Sequence, residues 1–94
     1  MALEVTRTAQ EVHVRVVGTF DAAAARRLGA LLESALDNGT ARVTLDFSRA
    51  AEVTDVALAA VAGYRPRPPV ALRITGLSSR HSRMLDYLAG GPAD

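Results

Sequence analysis

Three groups of side chains in this sequence could do chemistry. The first is Ser78-Ser79-Arg80-His81, where two hydroxyls, a guanidinium and an imidazole fall in one turn. Ser79 with His81 would make a nucleophile and its base, but the two lie only two positions apart, and on a helix such residues do not face each other. The same turn, opened by Gly76-Leu77, combines free N–H groups at a helix start with Ser78, Ser79, Arg80 and Arg83. Those are the ingredients of a phosphate- or nucleotide-binding site, here a weak one. No Gly-rich P-loop accompanies it, so helix capping with solvated arginines is the expected role.

The second group is scattered. Glu52 and Asp55 follow Asp46 in sequence, with no partner spaced for general acid–base work, so it is expected beside Arg15 or Arg73 on the surface. His13 and His81 fall in different segments, there is no Cys, and nothing around either completes a metal-ligand spacing. The third group is the stretch of residues 51–63. Asp55 stands before Val56-Ala57-Leu58-Ala59-Ala60-Val61-Ala62, an acid followed by no nucleophile. A segment that is apolar all round must be buried or covered. In a domain this small full burial is hard to arrange, so an exposed apolar patch suited to gripping another protein is expected here, with Asp55 either capping the helix or contacting the partner.

Composition narrows the classes further. The 94 residues make one domain, 49% hydrophobic but with only two Phe, two Tyr and no Trp, so the core must be aliphatic and rich in Ala. A net charge of +1 with dispersed arginines gives no footprint for nucleic acid or an anionic membrane. No apolar run reaches the roughly 20 residues that span a bilayer, and the first residues lack the order of a signal peptide. A cytoplasmic location is expected.

The elements that position these groups follow from periodicity. Residues 3–7 and 12–16 alternate apolar and polar, as two antiparallel strands joined by a short polar turn. Ala24, Leu28, Leu31, Leu32, Ala35 and Leu36 recur at three and four, predicting a helix over residues 22–37, capped by Asp21 and ended by Asn38-Gly39. Residues 42–47 form a third strand, 48–54 a loop, and 56–64 the second helix. The proline segment 65–69 must be extended. Residues 70–75 form a fourth strand, and a third helix carries Met84, Leu85 and Leu88. The order β-β-α-β-α-β-α implies a small mixed α/β sheet of about four strands with the helices mainly on one face. Val12, Val14, Val16, Val43, Leu45, Phe47, Leu72 and Ile74 would lie under the helices, and His13, Arg15, Thr44, Asp46, Arg73 and Thr75 on the uncovered face. Residues 1–89 are expected as one domain and 90–94 as a flexible tail.

With that order, the turn Val16-Val17-Gly18-Thr19-Phe20-Asp21-Ala22, the strand Val43-Thr44-Leu45-Asp46-Phe47-Ser48 and the acid Asp55, the chain resembles a STAS domain, the module of bacterial anti-sigma-factor antagonists. The likeness spans about residues 3–89. In phosphorylatable members the loop before the second helix reads Asp-Ser-Ser/Thr-Gly, and a partner kinase modifies the second hydroxyl. Here Asp55 matches the Asp, but Val56, Ala57 and Leu58 follow. A methyl group accepts no phosphoryl group, so this resemblance implies a cofactor-free binding module without that switch. Its partner would be a regulator of the anti-sigma-factor kinase type, met through Asp55, Val56, Ala57, Leu58 and Val61. Three other readings stay open: a structural subunit of a transport or other multiprotein complex, a nucleotide- or phosphate-binding domain using Ser78, Ser79 and Arg80, and a homodimer through the apolar helix.

Overall fold

The computed structural model describes residues 2–64 and 71–88. Alternation decides the sheet. In β2 (Glu11–Phe20) the side chains of Val12, Val14 and Val16 are buried while Arg15 between them is exposed. β1 (Ala2–Arg7) pairs antiparallel to β2, with Leu3 opposite Val16 and Glu4 opposite Arg15. β3 (Arg42–Val53) and β4 (Ala71–Thr75) follow in parallel, giving the sheet order β1-β2-β3-β4. The predicted mixed sheet is therefore the observed one.

Three helices close the other face: α1 (Ala22–Asp37), α2 (Asp55–Ala62) and α3 (Ser79–Leu88). α2 packs between α1 and α3. Asp21 caps α1 as expected, its Oδ1 accepting the Ala24 N–H at 3.0 Å. Gly39, at φ +75°, ends the helix in the left-handed region, and the Thr40 N–H donates to the Ala35 carbonyl at 3.1 Å. The core joins the β2 valines, Val43, Leu45 and Phe47 to Ala24, Ala25, Leu28, Ala57, Leu58 and Val61. Phe20 and Phe47 meet edge to face, centroids 5.1 Å apart, a favourable arrangement of ring quadrupoles. Gly29 on α1 makes room for Tyr64, just beyond α2, since a Cβ there would lie 3.0 Å from the Tyr64 hydroxyl.

The structure corrects several boundaries. β2 does not break at Gly18 but runs through it to Phe20, and the expected loop over residues 48–54 is mostly strand, because β3 continues to Val53. Local alternation fails there for a physical reason: β3 carries an extra residue at two register shifts against β2, one between Arg15 and Val17 and one between Gly18 and Thr19. Each shift resets which face the side chains take. Gly18, at φ +88°, accommodates the second. α2 ends at Ala62 with Gly63 as its C-cap, not near Tyr64, and Leu88, expected on the packed face of α3, is exposed. The proline segment, Val70 and the expected tail lie outside the described residues.

Candidate functional site

The end of β3 and the first turn of α2 form a tightly held corner. The Thr54 N–H donates to the Phe20 carbonyl at 3.0 Å, which ties this corner to the end of β2. Thr54, not Asp55, is the N-cap: its backbone is extended (φ −78°, ψ 154°) and its Oγ1 accepts the Ala57 N–H at 3.2 Å. The Thr54 carbonyl then accepts the Leu58 N–H at 3.0 Å. Asp55 is left free of capping and stands exposed in the first turn, where a carboxylate is favoured by the helix dipole.

The helix divides the five residues expected to meet a partner. Ala57, Leu58 and Val61 are buried at 0%, 0% and 2% exposure, so they are core residues of the chain itself and not a contact surface. Val56 points the other way and is 67% exposed. Asp55, Ala59 and Gly63 are exposed on the same helix, as is Glu52 just before it. The reason is geometric: eight residues make little more than two turns, and the sheet and the flanking helices take the stripe Ala57-Leu58-Val61-Ala62. Sequence reasoning does not single out Thr54 or Glu52. A Thr followed by an acid in the first turn of an apolar run is an N-cap signal that would find the first.

At the other end of α2 the Tyr64 hydroxyl donates to the Ala25 carbonyl of α1. Burial pushes this phenol above its ordinary value of 10.0. The bond locks the helix pair from which Val56 projects.

The second candidate turn is engaged by its own helix. Ser78 Oγ accepts the His81 N–H at 3.2 Å and lies 3.0 Å from His81 Nδ1. The imidazole therefore pairs with Ser78, three residues away, while Ser79 and Arg80 are exposed on the first turn of α3. Such a cap is what the sequence favours over chemistry. On the open face, Asp46 sits with Arg15 as expected, Arg15 Nε lying 3.6 Å from Oδ2, and His13 Nε2 is 3.8 Å from the same oxygen. The Ser48 backbone N–H, 2.9 Å from Oδ1, is the main cause that holds Asp46 below its ordinary value of 3.8; a further bond from Ser48 and the charges of Arg15 and His13 add to it, against the effect of burial. Among the described residues no three of His, Asp and Glu gather where they could hold a metal ion, and no helix is long and apolar enough to cross a membrane.

The fold as a whole has counterparts among known proteins. The family model described as "Mlab, STAS domain" matches residues 3–89. The structure of the anti-sigma factor antagonist SpoIIAA in its unphosphorylated form superposes with a TM-score of 0.58 at 15% identity, covering 95% of this chain and 99% of that one. The phosphorylated form of SpoIIAA, a Bacillus cell fate determinant, gives 0.56 at 18% identity over 94% of this chain and 66% of that one. No curated protein matches the chain. At these identities the two structures speak to the fold alone.

Proposed function

The chain belongs to the STAS domain family, and on that premise we propose that it is a non-enzymatic protein-interaction domain of the anti-sigma-factor-antagonist kind, working in the cytoplasm. Its contact surface is the outward side of the corner before α2 and of α2 itself, with Val56 as the apolar contact and Asp55, Glu52 and Ala59 around it. Ala57, Leu58 and Val61 serve this surface from beneath, by holding the helix in place. The partner is a regulatory protein of the anti-sigma-factor or kinase type. A single observation carries the reading: the large apolar side chain that α2 does not bury stands at the helix start, 67% exposed, next to a free carboxylate.

The same corner speaks against control by phosphorylation there. Ala57 is a methyl group at 0% exposure. Thr54, whose hydroxyl is the only one between residues 51 and 58, uses it as the acceptor of the helix cap. That observation also favours a second reading, permanent attachment as a subunit of a transport or other multiprotein complex, because a contact without a switch suits constant occupancy.

The test is capture from extract of the source cells with wild type and Val56→Asp side by side, both checked for native circular dichroism. Loss of one regulator of the anti-sigma-factor or kinase type with the variant is the expected result. Equal recovery of every bound protein by the two would overturn the assignment. Salt-resistant co-purification with a membrane ATPase would instead select the second reading.

A further inference from the structure

On the open face of the sheet, a bulge in β3 coincides with a small group of charged side chains. Between the pairs Arg15↔Asp46 and Val17↔Arg49, β3 places two residues, Phe47 and Ser48, against the single Val16 of β2. Bulges of this kind bend a strand and re-aim the residues beyond them. Here the bulge is held by a side chain: Asp46 Oδ1 accepts the Ser48 N–H at 2.9 Å. The other oxygen, Oδ2, lies 3.6 Å from Arg15 Nε and 3.8 Å from His13 Nε2, and Arg15 reaches on to Glu4 at 3.9 Å. The Asp46 side chain is only 15% exposed, so these neighbours restrict its rotamer. The Ser48 backbone is also fixed from outside the sheet, because Gly76, ahead of α3, comes so close that a Cβ there would lie 2.4 Å from the Ser48 nitrogen.

From this bulge the chain runs as strand to Val53 and delivers Thr54, whose hydroxyl and carbonyl hold the Ala57 and Leu58 N–H groups. We propose that Asp46 is the positioning residue of the α2 surface. By holding the Ser48 N–H it sets the first bulge, which fixes the direction in which β3 enters the second register shift at Ala51 and, through the Thr54 N–H bond to the Phe20 carbonyl, the corner that carries Asp55 and Val56. The Arg15 guanidinium stands beside Asp46 on the open face, so the polar face of the sheet governs the presentation of the apolar contact at α2. The functional consequence rests on the binding reading above, but the structural coupling does not.

Amide hydrogen exchange of the whole chain separates the two. In Asp46→Ala, exchange at Ser48, Ala57 and Leu58 is expected to rise at least about tenfold, the scale of losing a bond to a charged acceptor, while Val14 and Leu28 keep wild-type protection. Asp46→Asn, which retains the Oδ1 acceptor, should bring Ala57 and Leu58 back to within a few-fold of wild type. Unchanged exchange at Ala57 and Leu58 would overturn the proposal, as would an equal rise at Val14 and Leu28 or the absence of rescue by Asn. If Asp46→Ala does not fold, Arg15→Met takes its place: it must speed Ser48, Ala57 and Leu58 more than Val14, and any other outcome overturns the proposal. Partner capture by the same variants then reports on the binding reading alone, and its failure leaves the exchange result standing.

Discussion

Two apolar residues in one turn of α2 should respond very unequally to mutation. Leu58 is at 0% exposure. Leu58→Ala removes buried methyl and methylene groups and leaves a cavity that the sheet beneath relaxes into only in part, at a cost of about 2–5 kcal/mol. A domain of this size is stable by only about 5–14 kcal/mol, so the loss is a large share of the total, and the melting temperature should drop by roughly 10–30 °C. Val56 has already kept most of its surface in water, at 67% exposure. Val56→Asp therefore forfeits little burial, while a carboxylate in the first helical turn is favoured by the dipole and disfavoured by neighbouring Asp55. Its net effect should stay within about 0.5 kcal/mol of wild type, as for surface substitutions in general. Urea unfolding followed by circular dichroism measures both: the midpoint shifts in Leu58→Ala at constant slope and stays put in Val56→Asp. If Leu58→Ala cost under about 1 kcal/mol, or Val56→Asp more than about 2, the division of α2 into a buried and an outward side would be wrong. A charge at Leu58 is accordingly no probe of an interface, since it would unfold the domain before it disturbed a contact.

Two further outcomes rest on single contacts. Gly76→Ala adds both a left-handed strain at φ +81° and a Cβ 2.4 Å from the Ser48 nitrogen, whereas Gly39→Ala adds strain alone at φ +75° with nothing within 4 Å. The second should cost about 1–2 kcal/mol and the first clearly more; equal losses in urea unfolding would contradict the close approach of the α3 turn to β3. For pH, the sign at Asp46 comes from a folded-state pKa held below 3.8. The ionised form is favoured in the fold, so its contribution is complete above that value and disappears as pH falls through the lowered one. Tyr64, raised above 10.0, contributes below that value and loses its contribution as pH rises through the folded one. Urea midpoints across both limbs should show a flatter acid limb in Asp46→Asn and a flatter alkaline limb in Tyr64→Phe, and unchanged limbs would refute the two assignments.

Much of this molecule is legible in the sequence because its signals are local. The Asp21 cap and the Gly39 end of α1 need only their own neighbours. Where a contact spans distant segments, legibility fails. The loop expected over residues 48–54 is strand as far as Val53 because the partner that orders it, residues 17–20 of β2, lies some thirty positions earlier. Thr54 is overshadowed by the more conspicuous Asp55, although its place before an apolar run is signal enough. Ala57, Leu58 and Val61 cannot be told from Val56 in the sequence, since a helix apolar all round has no pattern to say which side is covered.

By itself, then, the sequence determined the order of elements, the alternating faces of residues 12–16 and 42–47, and a Val56-Ala57-Leu58 segment that carries no hydroxyl. These come from side-chain type at period two or at three to four, which a linear chain already contains. Only the tertiary structure decided which side of α2 remains outside, and that Asp46 holds the Ser48 N–H at a bulge. Those facts depend on register shifts and on how closely helices approach a sheet, and these are set by packing between segments rather than within any one of them.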